Sequence, residues 1–226
     1  MTEVTIRNKE LLGTLNSFVE QFFAIKGYAD PKHRQFSSQK ALADPEYFCS
    51  KEYLDHQLST GDSHSGFPEE HMAHPTSKMV QNNPEAFTNF RDSVKHGFAK
   101  RIGAHTNALL NYYPPRGFVG WHTNWNANAY QVLFTWSKDG DGYFKYRDSQ
   151  TGKIVTIQDK PGWQCRHYYF GHKDEPEEHH CWHAAYAGCD RLTLAYKFEN
   201  ESKGTTADSA ARMLRDGLIE EIESED

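Results

Sequence analysis

Cysteine is scarce. Cys49, Cys165, Cys181 and Cys189 are the only four, and none forms a CxxC pair. They are too few for a disulfide scaffold and suit a reducing compartment, so the expected location is the cytoplasm. No run of eighteen apolar residues occurs, which excludes a membrane-spanning helix. The N-terminal stretch also lacks the uniformly apolar core of a secretory leader, because Lys9 and Glu10 open an amphipathic segment instead. Excess positive charge is missing: 25 Lys+Arg stand against 31 Asp+Glu, a formal −6. A strongly basic nucleic-acid binder is therefore disfavoured, although a local basic patch is compatible with this balance. Residues 199–226 hold nine acidic and three basic side chains (Lys203, Arg212, Arg215), which accounts for the whole −6. Residues 1–198 carry 22 charges of each sign. The acidity belongs to a tail.

Aromatics and histidine are plentiful, with 14 Phe, 12 Tyr, 5 Trp and 13 His in 226 residues. The aromatics supply core area that a modest aliphatic content does not. Residues 9–26 read as a helix, with Leu11, Leu12, Leu15, Phe18, Val19, Phe22 and Phe23 at three- and four-residue steps. Residues 28–82 are polar and aperiodic, an irregular stretch with short elements that could serve as a lid or substrate loop. Asn83-Pro84-Glu85 opens a second helix, whose apolar face is Phe87, Phe90, Val94, Phe98 and Ile102. The charges on it (Arg91, Lys95, Lys100, Arg101) read as a solvated face, with a small basic patch as the alternative.

Beyond Gly103 the period shortens to that of strands: 107–113, 118–123, 129–137, 142–147, 153–158, 166–170, 181–187 and 191–198, separated by Gly- and Pro-containing turns. Eight short strands predict a mostly β fold with flanking helices, a jelly roll or sandwich. A last helix is expected over 209–223, with Ala211, Leu214, Leu218 and Ile222 on one face. Its acidic end opposes the helix dipole, so it should fray unless docked. The expected organisation is a helical and irregular region over 1–104, a β core over 105–198 and an acidic helix and tail over 199–226, in a single domain.

Four places in the β region can carry chemistry. In a strand, His122 and Asn124 project to one face. His183, on a later strand, supplies a second imidazole, and two imidazoles on separate strands suit a divalent metal. Arg191 and Thr193 share a face and make a fork for a carboxylate. Asn111 and Tyr113 share a face just upstream of His122. Taken singly, each is also an ordinary strand residue. A competing reading places zinc at His179, Cys181 and His183, with Cys165 or Cys189 as a further ligand, but no CxxC or HxxxH spacing accompanies it. A Cys/His nucleophile pair has no accompanying oxyanion signal. Trp163 and Phe170 read as core, while Trp121 and Trp182 read as either pocket wall or plain packing.

The joint order is more specific than any one motif. Asn111-Tyr112-Tyr113-Pro114-Pro115, Gly120-Trp121-His122-Thr123-Asn124, Trp182-His183-Ala184 and Arg191-Leu192-Thr193-Leu194 together resemble the Fe(II)/2-oxoglutarate-dependent oxygenases over roughly residues 105–198. The resemblance implies a double-stranded β-helix. It implies Fe(II) held by His122, Asn124 and His183, and 2-oxoglutarate as cosubstrate bound by Arg191, Thr193, Tyr113 and Asn111. It implies a reaction that consumes dioxygen, releases succinate and CO2, and hydroxylates an unidentified small molecule or protein side chain. The family's metal carboxylate falls on Asn124. Three readings follow: Asn124 ligates through its amide oxygen, an acid such as Asp139 or Asp141 replaces it, or the protein is a silent jelly-roll binder with an altered metal site. Family members that halogenate have a small residue at this place, and Asn fills that room.

Overall fold

The computed structural model describes residues 1–60, 70–124, 129–171, 176, 180–199 and 205–225, and of residues 129, 199 and 205–212 it describes the backbone alone. In chain order the elements are β1 (Thr2–Val4), α1 (Lys9–Ala24), β2 (Gln35–Phe36), α2 (Gln39–Ala43), α3 (Lys51–Thr60), β3 (His71–Pro75), α4 (Thr76–Asn82), α5 (Pro84–Asp92), α6 (Ala99–Arg101), β4 (Thr106–Tyr113), β5 (Gly117–His122), β6 (Ala129–Ser137), β7 (Gly142–Arg147), β8 (Ile154–Gln158), β9 (Gly162–Tyr169), β10 (His183–Ala187), β11 (Arg191–Glu199) and α7 (Thr205–Glu223).

The strands form one curled antiparallel sheet in the order β1-β9-β6-β11-β4-β3-β5-β10-β7-β8, with β2 added on β3. It has two facing halves. β9, β6, β11 and β4 make the larger one, and β5, β10, β7 and β8 the smaller. Every connection between consecutive strands from β4 to β11, except the β7–β8 hairpin, crosses from one half to the other. That winding is a double-stranded β-helix, a jelly-roll variant with flanking helices, and its eight strands are the eight that alternation predicts. The sheet also recruits strands from outside 105–198. β3 is the seam: its His71 and Met72 pair with β5, and its His74 and Pro75 with β4. Part of the stretch 28–82 is thus structural sheet and helix, whereas the reading as a lid or substrate loop does not foresee β3. Residues 61–69 within it lie outside the described residues.

Several strand limits move, among them the start of β10, which is His183 rather than Cys181. β9 starts at Gly162 rather than Arg166, because Gly162 already pairs with Ser137 of β6. β5 ends at His122, one residue earlier than expected.

The faces of the larger half are the reverse of a simple polar-out sheet. Leu192, Leu194, Tyr196 and Phe198 of β11, with Tyr112, Phe134 and Cys165 of the neighbouring strands, point outward into a large apolar core. Helices cover that core. α1, capped by the Asn8 side chain accepting from Leu11 N at 2.8 Å, buries Leu11, Leu15, Phe18 and Phe22 there. α5 contributes Phe87 and Phe90, and the π-helical stretch Ser93–Phe98 that follows it contributes Val94 and Phe98. Within this stretch the buried Tyr196 hydroxyl donates to the Val94 carbonyl at 2.8 Å. Arg91 pairs with Asp92, and Arg101 with Glu10 and Glu221, as a solvated helical face would. α7 is docked: Ile222 O accepts from Arg7 N and Asn8 N, and Leu218 and Ile222 are buried. Leu214 stays half exposed, and the Ala211 side chain lies outside the described residues. No helix among the described residues is long and apolar enough to cross a membrane.

The fold carries a pH liability at β3. His74 is buried against the Tyr112 ring, and burial lowers its pKa to about 4. Since the folded value lies below the ordinary 6.5, the stabilisation is complete above pH 6.5. It falls as pH drops toward 4, by at most about 1.4 kcal/mol per pH unit. His74→Phe is expected to lose less stability than wild type between pH 7 and pH 5 in urea denaturation. Equal losses would show that His74 is not the titrating group.

Candidate metal and anion site

The closed interior between the halves is polar on the larger side. Strand register aligns Arg191 with Tyr113 and Ser137, and Thr193 with Asn111 and Thr135. Gln164 and Arg166 of β9 continue the same inward rows, opposite Thr135 and Leu133. On the smaller side, His183 is the register partner of both His122 and Tyr146.

The two histidines are brought together, with ring centroids 4.1 Å apart. His122 Nδ1 donates to Gly120 O at 2.8 Å, and His183 Nδ1 donates to Cys181 O at 2.8 Å. A carbonyl only accepts, so each ring carries a proton on Nδ1, and Nε2 is the nitrogen that a neutral ring turns to a metal. Ligating histidines are held in this way. Gly120 is required for close approach, since a Cβ there would lie 2.9 Å from Glu70 O. Phe170 and Phe144 flank His183, with centroids 4.9 and 5.7 Å away. Their burial of the ring lowers its pKa to about 4, so it is neutral and ligation-competent at neutral pH. The residues present therefore fit a divalent metal through two imidazole nitrogens. Asn124 is half-buried two residues beyond His122, past the end of β5, so strand alternation no longer decides where it points. Among the described residues no group of three His, Cys, Asp or Glu side chains could hold a metal.

Among the described residues the zinc alternative is not assembled. Cys165 points outward into the helix-covered core, whereas Cys181 lies among interior aromatics, and His179 is outside the described residues. All four cysteines are free and buried, and burial raises the Cys49 and Cys181 thiols to about 12, so neither is an activated nucleophile. Trp121 and Trp182 pack on the outer side of the smaller half, with Trp121 Nε1 donating to Ser50 O at 2.8 Å, so both are packing rather than pocket wall.

Arg191, Thr193, Tyr113 and Asn111 form one connected set. Arg191 Nη1 donates to Thr193 Oγ1 at 2.9 Å, and its guanidinium lies 5.7 Å from the Tyr113 ring centroid. Asn111 Nδ2 donates to the Tyr113 hydroxyl at 3.3 Å. Burial raises the Tyr113 pKa, so its hydroxyl stays protonated and can donate in turn. All four residues are buried. Such a set can bind a carboxylate.

Sequence reasoning missed the partner of Arg191. Its Nε donates to Asp159 Oδ2 at 2.8 Å, and Arg166 Nη1 lies 3.8 Å from Asp159 Oδ1. Asp159 follows β8 next to Lys160-Pro161-Gly162 and was hidden in turn chemistry. Arg166 was available as a polar residue alternating with Trp163, Cys165 and His167, had β9 been started at Gly162.

No protein-family model and no curated protein matches the chain. Among solved structures it is similar to a prolyl-4-hydroxylase from Pseudomonas putida, at 13% identity and a TM-score of 0.32, covering 78% of this chain and 98% of that one. It is also similar to a predicted oxalate decarboxylase from Thermotoga maritima, at 19% identity and a TM-score of 0.27, covering 44% and 70%. A cupin domain from Bordetella pertussis gives 14% identity and a TM-score of 0.26, covering 40% and 80%. Likenesses this loose assign no chemistry, and the double-stranded β-helix is read from the strand order itself.

Gly142 guards the Asp159 carboxylate. A Cβ on it would lie 2.9 Å from Asp159 Oδ2 and 2.8 Å from Tyr186 O. Gly142→Ala is therefore expected to destabilise the fold by about 1–3 kcal/mol. Because it disturbs the grip on Arg191, binding of carboxylate ligands should weaken with it. Unchanged denaturation midpoints would disprove the close contact.

Proposed function

We propose that the protein is an Fe(II)- and 2-oxoglutarate-dependent oxygenase that hydroxylates a small molecule or protein side chain, releasing succinate and CO2. The observation that carries this reading is the pair of tautomer-locked histidines, register partners inside a double-stranded β-helix, in the same interior as the Arg191–Thr193 carboxylate fork. Fe(II) would be held by His122, His183 and the amide oxygen of Asn124, and would supply the activation of dioxygen.

The chain's own residues do the rest. Carbonyls of Gly120 and Cys181 fix the imidazoles through their Nδ1 protons. Arg191 and Thr193 hold the distal carboxylate of 2-oxoglutarate, while Tyr113, positioned by Asn111, donates its hydroxyl proton to the same cosubstrate. Phe144, Tyr146 and Phe170 make the wall beside His183 apolar, which keeps bulk water from the reacting carbon. The four free thiols suit a reducing, cytoplasmic setting.

Anaerobic addition of Fe(II) and 2-oxoglutarate should give a visible charge-transfer band, and aerobic incubation should give succinate. His183→Ala should abolish both, and absence of band and succinate in the wild type would sink the oxygenase reading.

One observation favours a second reading, a binding protein with a weakened metal centre: Asn124 brings no charge and lies past the strand that positions His122. Asn124→Asp separates the two. If the centre is merely weakened, the substitution raises iron affinity by about tenfold or more, the scale of a ligand-sphere change. If Asn124 is a working ligand, succinate formation falls instead. Iron titration and succinate assays on both proteins decide between them.

A further inference from the structure

Asp159 lies between two guanidinium groups in the interior between the halves. Arg191 Nε donates to its Oδ2 at 2.8 Å, and Arg166 Nη1 is 3.8 Å from its Oδ1. Arg166 Nη2 donates to Gln164 Oε1 at 2.9 Å, while its Nε has no hydrogen-bond partner among the described residues. Arg166, Asp159, Arg191 and Gln164 are all at least nine-tenths buried. Glu3 is Arg166's register partner on β1, but it is exposed and bonded to Lys160 at 2.8 Å. The cluster thus holds two cations and one anion.

A buried guanidinium without its own counter-ion is costly. A one-to-one pair of Asp159 and Arg191 would have left the fork neutral and unattractive to an anion. Arg166 changes that balance by drawing on the same carboxylate. We infer that Arg166 is a positioning residue acting through Asp159: it offsets the Asp159 charge, so that Arg191 presents its positive charge to the distal carboxylate of an organic dicarboxylate. The identity of that ligand rests on the 2-oxoglutarate reading above, whereas the anion site does not.

The site can be tested without metal, on the full chain. Isothermal titration calorimetry would compare 2-oxoglutarate, succinate and glutarate with 2-oxobutyrate, which lacks the distal carboxylate. Wild type should prefer the dicarboxylates. Arg166→Gln should weaken them at least tenfold, leave 2-oxobutyrate little changed, and leave the ligand-free melting temperature unchanged or higher. Arg166→Lys should recover part of the affinity. The double variant Arg166→Gln with Asp159→Asn should also recover it, because Arg191 is again the unopposed charge and the Asn oxygen can still accept from Arg191 Nε.

Dicarboxylate affinity equal to wild type in Arg166→Gln, or a lowered melting temperature as its only effect, would make Arg166 a structural ion-pair partner and overturn the inference. Loss in the single variant without recovery in the double would overturn action through Asp159. If wild type binds none of the dicarboxylates, the site itself falls. Arg166-dependent binding with no succinate formed in the presence of iron and air would uphold the site and remove the oxygenase reading alone.

Discussion

The interior depends on one buried ion pair, Arg191 with Asp159. Arg191 opens β11, the central strand of the larger half, and Asp159 ends the smaller half just before the chain crosses to β9. The pair therefore ties the two halves where they are joined by a short turn. Desolvating both groups is expensive, and the pair repays it only through further hydrogen bonds. Thr193 supplies one to the guanidinium. Gly142 makes room for the carboxylate because no side chain stands there. Removing Arg191 would leave Asp159 to Arg166 alone, and removing Asp159 would leave two buried guanidiniums with no carboxylate between them, which is why this contact governs the geometry around it.

A polar interior has to be compensated by apolar burial elsewhere. In a sheet of period two, turning Asn111, Tyr113, Arg191 and Thr193 inward turns Tyr112, Leu192 and Leu194 outward. The outward residues cannot face water in bulk, so α1, α5 and the π-helical stretch cover them, with Phe18, Phe22 and Phe98 as the main inserts. The aromatic wealth of the N-terminal third is thus the counterpart of the polar barrel. The smaller half follows the opposite rule on its inner face, where Phe144, Tyr146 and Ala185 surround His183. That contrast places an apolar wall beside the imidazoles and charge across from them.

Strand alternation made most of this legible in the sequence. The eight core strands and the inward rows Asn111/Tyr113 and Arg191/Thr193 follow from period two, and Leu11, Leu15, Phe18 and Phe22 follow from helical steps. Three features did not. β3 is five residues long and owes its pairing to both halves at once, so no local pattern announces it. Asp159 lies outside any strand, and an acid next to Pro161 reads as turn. Arg166 opens the strand that alternation places at 166–170, whereas β9 starts at Gly162, so its partners across the sheet are not apparent. Each miss concerns a residue whose role is set by what faces it across the barrel, and facing is a tertiary property that a single strand cannot encode.

The same residues sharpen the meaning of Asn124. A two-histidine, one-carboxylate centre holds its negative charge at the metal. Here the carboxylate of the interior is Asp159, held by Arg191 and Arg166 rather than placed beside His122 and His183. With an amide at Asn124, the three side chains proposed to hold a divalent ion would bring it no carboxylate. On the proposed reading, the far carboxylate of a 2-oxo diacid would meet Arg191. The substitution at position 124 and the excess guanidinium charge then act in one direction, since both make the interior more dependent on an incoming organic anion. The −6 of the whole chain is no obstacle to this, because it belongs to residues 199–226, and the 22 charges of each sign in the remainder leave the local field to be decided by Arg166, Arg191 and Asp159.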